Sequence, residues 1–496
     1  MELHTDYSIF APRPRADAKS TSLWFQNAEQ PSLSLKLLRI VEQFRARPDD
    51  RYAQELADLR TLGRFLKSEG VLDAARVHTA RYNDAPMFCT CSVLPHYPEG
   101  ATDGHTRTTA LGNGFGEQVP EALSQAFGEY LERYFLSLYY KKDLRRATPE
   151  ELKKVGVDFV HPTHVAGLGV GSEKKQGASD IETTRFAWQY ATDLRSGNSV
   201  LLPAQCVYWA YGHEHGEPQL KDVTTNGAAG WFTKEGAMLR GLCELIQRDA
   251  FMIFWMNSVT PPKIDPESVP DVAFQALYQK TLRYQFDIHC LDFTVDTQVP
   301  TFGVVLKDRN NHYPHQALGL STNPDPIRAL RNAFEEAWSI YYWMRQTESA
   351  ILPDTYTPFS DATINHQKRA ALFATKENEH HYAFLLEGTQ KRFDAQRWPV
   401  YPEEEKEQLT AIADHVASLA PDRKDNTAYQ TYVYLADAPI LKRIGYYAAQ
   451  VIVPALIPLH INEHLAHRSG KRFSSVPPRL GYVAAQDLNT SPQPFP

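Results

Sequence analysis

Residues 119–140 read VPEALSQAFGEYLERYFLSLYY, and their spacing predicts a helix that Pro120 and Glu121 open in the manner of a helix start. Glu129 and Glu132 stand three apart, which places both carboxylates on one face beside Arg133 and Tyr134. Around them Ala126, Phe127, Tyr130, Leu131 and Phe135 are apolar, so the helix is expected to be largely buried and its carboxylates to need partners. One such triplet alone reads more readily as a solvated or salt-bridged face.

The device recurs twice. Residues 234–255, KEGAMLRGLCELIQRDAFMIFW, predict a second helix that sets Glu244, Gln247 and Arg248 in apolar surroundings. Ahead of it, TTNGAAG at 224–230 is a small-residue turn whose amides can approach a ligand closely. A third helix, expected over 326–345, brings Arg331, Glu335 and Glu336 before an aromatic end. Three helices that carry acidic or amide groups into apolar settings are hard to explain by packing, because unpaired buried carboxylates cost several kcal/mol. A divalent cation satisfies them. Mg²⁺ takes oxygen ligands and keeps phosphate oxygens among them, so carboxylates flanked by arginines point to a nucleoside triphosphate held through its metals. No GxxxxGK[ST] is present, and Gly112, Gly114 and Gly116 in TALGNGFGEQ lack the strand and acidic partner of a dinucleotide fingerprint.

Outward from these helices the texture changes. Residues 31–85 alternate apolar and charged positions at helical spacing (SLKLLRIVEQFRA, YAQELADLRTLGRFLKSEG), so 1–85 read as a small N-terminal helical appendage. From residue 86 onward, β-branched and aromatic runs (MFCTCSVL, NSVLLPAQCVYWAY, FDIHCLDFT, TFGVVL) alternate with the long helices, which predicts an α+β (mixed α/β) domain over 86–496. The segment 352–430 reads as an insertion or peripheral lobe, and 446–461, with Pro454 and Pro458, as buried strand and turn.

At 496 residues, with 43% apolar and 22% charged side chains, the chain is long enough for a large core of soluble type. A net charge of -7 argues against nucleic-acid binding. No apolar stretch of signal-peptide or membrane-spanning length is seen, and five scattered cysteines suit a reducing compartment, so the expected location is the cytoplasm. Cys89 and Cys91 are read as small buried residues rather than zinc ligands.

The helix motifs carry a resemblance. ALSQAFGEYLERY at 122–134, TTNGAAG followed by CELIQRDAF at 243–251, and STNPDPIRALRNAFEEAWS at 321–339 resemble, in order, the three helix motifs of the YcaO superfamily. VIVPALIPLHINEH at 451–464 and the tail 489–496, with Pro492, Pro494 and Pro496, look like the C-terminal part of its azoline-forming cyclodehydratases. The resemblance implies a YcaO-type fold with an ATP site among helices packed on β-sheets. It implies that Glu129, Glu132, Glu244, Gln247 and Glu336 hold Mg²⁺, that Arg133, Asn226, Arg248 and Arg331 line the nucleotide, and that the Pro496 α-carboxylate serves proton transfer or positioning. Gln125, Gln247, Asn332 and Ser339 depart from residues frequent in the family, and a Gln ligand supplies an oxygen without charge.

The implied reaction is attack of a Cys, Ser or Thr side chain of a ribosomal precursor peptide on the preceding amide carbonyl, phosphorylation of the resulting oxygen by ATP, and loss of phosphate to leave a thiazoline or oxazoline. The implied partners are that peptide, an E1-like leader-binding protein and an FMN-dependent azoline dehydrogenase, in a homodimer or a hetero-oligomeric synthetase. Thioamide or amidine formation within the same family, a catalytically weakened scaffold, and a nucleotide-independent metal hydrolase are the alternatives.

Overall fold

The computed structural model describes residues 49–79, 89–95, 112–116, 118–165, 178–213, 216–222, 224–360, 364–421 and 426–495. The first helical run expected near 34–46, the side chains of Cys89 and Cys91, and Pro496 lie outside the described residues.

The chain enters as α1 (Asp49–Ser68), then forms β1 (Leu72–Thr79), β2 (Cys89–Pro95) and β3 (Gly112–Gly116), an antiparallel sheet in the order β1-β2-β3. α2 (Val119–Ser137) covers it. Leu62, Phe65 and Leu66 of α1 share one core with Leu123, Phe127 and Tyr130 of α2, and the Tyr130 hydroxyl donates to the Val71 carbonyl. The stretch read as a helical appendage thus contributes a strand and part of a core.

Next come β4 (Arg145–Ala147), β5 (Phe186–Asp193), β6 (Ser199–Pro203) and β7 (Ala228–Trp231), followed by α3 (Lys234–Met256). The apolar run after β6, expected to stay extended, turns at Pro203 into a short helix at Ala204–Val207. A second sheet follows, with β8 (Lys263–Asp265), β9 (Phe286–Asp292), β10 (Thr301–Asp308) and β11 (Gln316–Thr322), covered by α4 (Pro326–Met344). α5 (His366–Ala374), β12 (Gln390–Arg392) and α6 (Glu405–Ser418) make up most of the segment read as peripheral. It is integral instead: β12 extends the sheet to β11-β10-β9-β8-β12, and Ile412 and Val416 of α6 pack with Leu242 and Ile246 of α3.

β13 (Tyr432–Leu435) and β14 (Tyr447–Ile452) complete the third sheet, β4-β5-β13-β14-β7 with β6 on β5, and α7 (Lys471–Arg479) leads to the tail. The buried strand expected within 446–461 is β14. Each of the three long helices therefore lies on a sheet, α2 on the first, α3 against β7 and β14, and α4 against β10 and β11. The fold is mixed α/β. Among the described residues no helix is long and apolar enough to cross a membrane, and Cys206, Cys243 and Cys290 are buried free thiols.

Glycine explains how closely helix and strand approach. A Cβ at Gly114 would stand 1.7 Å from the Ala122 carbonyl oxygen, and one at Gly112 2.1 Å from that of Ala126. At Gly319 it would meet the Ala333 oxygen and the Ala337 nitrogen, each at 2.2 Å. Both contacts are with backbone, so neither side can yield cheaply. Gly114→Ala is expected to lower stability by about 1–3 kcal/mol through overpacking, read as the denaturant midpoint; an unchanged midpoint would mean that β3 and α2 separate freely.

Candidate functional site

Close approach brings helix carboxylates to strand amides. On α2, the Glu129 carboxylate accepts from the Asn113 N–H of β3 and pairs with Arg133 at 2.7 Å. One turn earlier, Gln125 Oε1 accepts from the Phe115 N–H at 3.2 Å, so the residue that departs from the family motif has a structural partner. Glu132 lies on the side of the adjoining sheet, where the Gly230 backbone favours its charged form.

α3 begins at Thr233, whose hydroxyl accepts from the Gly236 N–H at 3.0 Å. Glu244 accepts from the Gly227 N–H at 3.1 Å and pairs with Arg248 at 3.2 Å, one turn on. Gly227 has φ +81°, and a Cβ there would lie 2.2 Å from the Val451 carbonyl oxygen, so the turn that offers its N–H requires glycine. α4 begins at Asp325, which accepts from the Ile327 N–H at 2.9 Å and the Arg328 N–H at 3.2 Å. From it, Glu336 accepts from the Leu320 N–H of β11 at 2.6 Å.

Glu132 and Glu336 each feel the charges of Glu244 and Glu129. Burial pushes Glu132 up to about 8, Glu244 and Glu129 add to the rise, and Arg133 and the Gly230 N–H oppose it. Glu336 rises to about 7 through burial, with Arg248 and the Leu320 N–H opposing and Glu244 and Glu129 adding. Glu244 is also raised by burial, against Arg248, the Gly227 N–H and Arg133. Glu129, Glu132, Glu244 and Glu336 thus form one electrostatic cluster with Arg133 and Arg248. Four carboxylates against two guanidiniums leave an excess of negative charge in a half-buried place, which protonation or a cation relieves. The donors are oxygens, as Mg²⁺ prefers. Among the described residues no three acidic, histidine or cysteine groups stand close enough to chelate an ion unaided. Mg²⁺ seldom asks for that, because it retains water and takes phosphate oxygens. Among the described residues, Nε and Nη1 of Arg248 are buried without a hydrogen-bond partner, which suits an anion beside the metal.

The remaining expected residues scatter. Arg331 faces Asp271 at 3.6 Å and Glu335 at 3.9 Å, and none of the four carboxylates. Asn226 is buried, donating to the Leu459 carbonyl at 2.8 Å, and lines a cavity with Lys221, Thr224, Leu245, Gln450 and His460 whose wall includes none of the four carboxylates. Gln247 is buried and makes no hydrogen bond among the described residues. Phe495, absent from the sequence-based set, stacks on Arg248 with the guanidinium carbon 4.4 Å from the ring centre. Only its place in a Pro-rich tail hinted at that.

Comparison with known proteins identifies the family and the fold. Residues 113–457 match the family model described as YcaO cyclodehydratase, ATP- and Mg²⁺-binding. The chain is 27% identical over 248 residues to an uncharacterized protein in the tfuA 3′ region of Rhizobium leguminosarum bv. trifolii, an alignment covering 48% of this chain and 56% of that protein. It spans about half the length of the curated relatives it matches. Its fold is similar to a heterocyclase in complex with substrate and cofactor, with TM-score 0.65, 21% identity, and coverage of 84% of this chain and 55% of that one. It is also similar to a YcaO protein from Methanopyrus kandleri bound with AMPPCP and Mg²⁺, with TM-score 0.57, 15% identity, and coverage of 81% of this chain and 91% of the other. At such identities the structural likeness is one of fold.

Proposed function

Because the chain belongs to the YcaO family, whose members bind ATP and Mg²⁺, we propose that it is an ATP- and Mg²⁺-dependent cyclodehydratase that closes Cys, Ser or Thr residues of a ribosomal precursor peptide into thiazolines or oxazolines. One observation carries the reading: three helices on three sheets direct Glu129, Glu132, Glu244 and Glu336 into a single cluster with Arg133 and Arg248. When bound, ATP with its Mg²⁺ supplies the phosphoryl group that departs with the amide oxygen as phosphate, so each ring closes with net loss of one water. The protein's part is placement and charge. The carboxylates hold the cations, strand N–H groups fix the carboxylates, and Arg248, with Arg133 nearby, balances phosphate charge. Peptide delivery by an E1-like leader-binding protein, oxidation by an FMN-dependent dehydrogenase, homodimer or hetero-oligomer assembly, and a cytoplasmic setting belong to the same proposal.

The test is mass spectrometry of a candidate precursor incubated with this protein, a leader-binding partner, ATP and Mg²⁺. Loss of one water per modified residue is expected, only with nucleotide present. An unchanged peptide mass alongside bound leader, or water loss without ATP, defeats the reading.

The raised carboxylates also set a pH dependence. A group whose folded-state value lies above its unfolded one favours the fold while it stays protonated, and that contribution is lost as pH rises through the folded value. Glu336 at about 7 and Glu132 at about 8 place the loss across neutrality. The ligand-free protein should melt at lower temperature near pH ~8.5 than near pH ~6, and Mg²⁺ with ATP should restore more at the higher pH. Melting curves at both values check it, and equal ligand-free midpoints contradict it.

A further inference from the structure

The tail makes more use of α3 than its prolines suggest. The Asn489 N–H donates to the Met256 carbonyl at 2.7 Å and its side chain to the Trp255 carbonyl at 3.2 Å, so the tail docks at the C-terminal end of α3. It then runs back along the helix. Gln493, 1% exposed, donates to the His460 carbonyl at 3.1 Å and accepts from the Phe495 N–H at 2.7 Å. Phe495, 2% exposed, packs against Phe251 with ring centres 6.3 Å apart and presents its face to Arg248.

A guanidinium donates hydrogen bonds in its plane and accepts a ring on its flat face. A ring there restrains rotation without consuming a donor. Arg248 is held so: Glu244 takes one Nη at 3.2 Å, Phe495 covers a face, and Nε and Nη1 are buried with no partner among the described residues. Desolvation strengthens such a cation–π contact.

We propose that Phe495 is a positioning residue for nucleotide binding: its ring orients the Arg248 guanidinium so that two in-plane N–H groups meet phosphate oxygens, which makes triphosphate affinity depend on a seated tail. This rests on the ATP site proposed above and extends it to a side chain between the prolines of the tail, at a position the prolines themselves leave unspecified.

The experiment is calorimetric titration of the full chain with a non-hydrolysable ATP analogue and Mg²⁺, with melting temperature measured in parallel. Phe495→Leu keeps an apolar side chain against Phe251 but has no ring face; Phe495→Tyr keeps both. Expected are about tenfold weaker binding for Leu, binding within about twofold of the parent for Tyr, and little change in melting temperature. In an Arg248→Lys background, which lacks the planar fork, the Leu substitution should cost much less. Parent-like binding by Phe495→Leu overturns the proposal, as does an undiminished effect in the Arg248→Lys background, since either assigns Phe495 to packing alone. A parent chain that binds no analogue at all overturns the ATP site itself, and this inference with it.

Discussion

Glu244→Gln should reduce peptide-dependent ATP hydrolysis by about 10³-fold while leaving the melting temperature near that of the parent. Glutamine has the same shape, and its amide oxygen can still accept from the Gly227 N–H that Glu244 binds at 3.1 Å. What it loses is one negative charge from the cluster and the ion pair to Arg248 at 3.2 Å. Arg248 loses its ion pair, but Glu132 and Glu336 lose a repelling neighbour, so the two effects on folding offset and the loss falls on the bound cation and triphosphate. Titration of the variant with the ATP analogue should show a weakened Mg²⁺ dependence. Hydrolysis at the parent rate would falsify the assignment of this carboxylate.

Arg472→Ala should act on stability instead, lowering it by about 3–5 kcal/mol. Asp249 on α3 is fully buried, and Arg472 on α7, 1% exposed, grips it with Nε at 2.8 Å and Nη2 at 2.7 Å. The same guanidinium reaches Asp296 at 2.6 Å, and Asp249 also accepts from the Ile457 N–H at 2.9 Å. Removing the arginine strands a carboxylate where water does not reach. Urea unfolding monitored by tryptophan fluorescence is the measurement; a loss under about 1 kcal/mol would mean that solvent already screens the group. Because α7 precedes the tail that docks on α3, analogue binding should weaken too.

The three long helices were legible from their apolar periodicity, and the first also from Pro120 and Glu121 at its start, while the structure adds Thr233 and Asp325 as the caps of the other two. β2, β9 and β10 were legible as β-branched and aromatic runs. β3 was not, since GNGFG has little strand propensity. Its glycines serve contact with α2, and that role is invisible until the opposing helix is in place. The run 390–392 gives no sign of being β12, because pairing with β8 alone makes it a strand.

Spacing along a helix establishes that Glu129, Glu132 and Arg133 are near one another, and chain order with residue type was enough to name the family and to single out the carboxylates proposed to hold its cations. It does not establish where a face points. Arg331 and Asn332 differ by about 100° around one helix, and only the packing of α4 turns Arg331 toward Asp271 and away from the cluster. Local sequence thus determined the helices and the chemistry they carry. Tertiary structure decided which of those groups meet, because the charge of Glu244 that Glu132 feels, and the stacking of Phe495 on Arg248, involve residues far apart in the chain that only the stacking of helices on three sheets brings together.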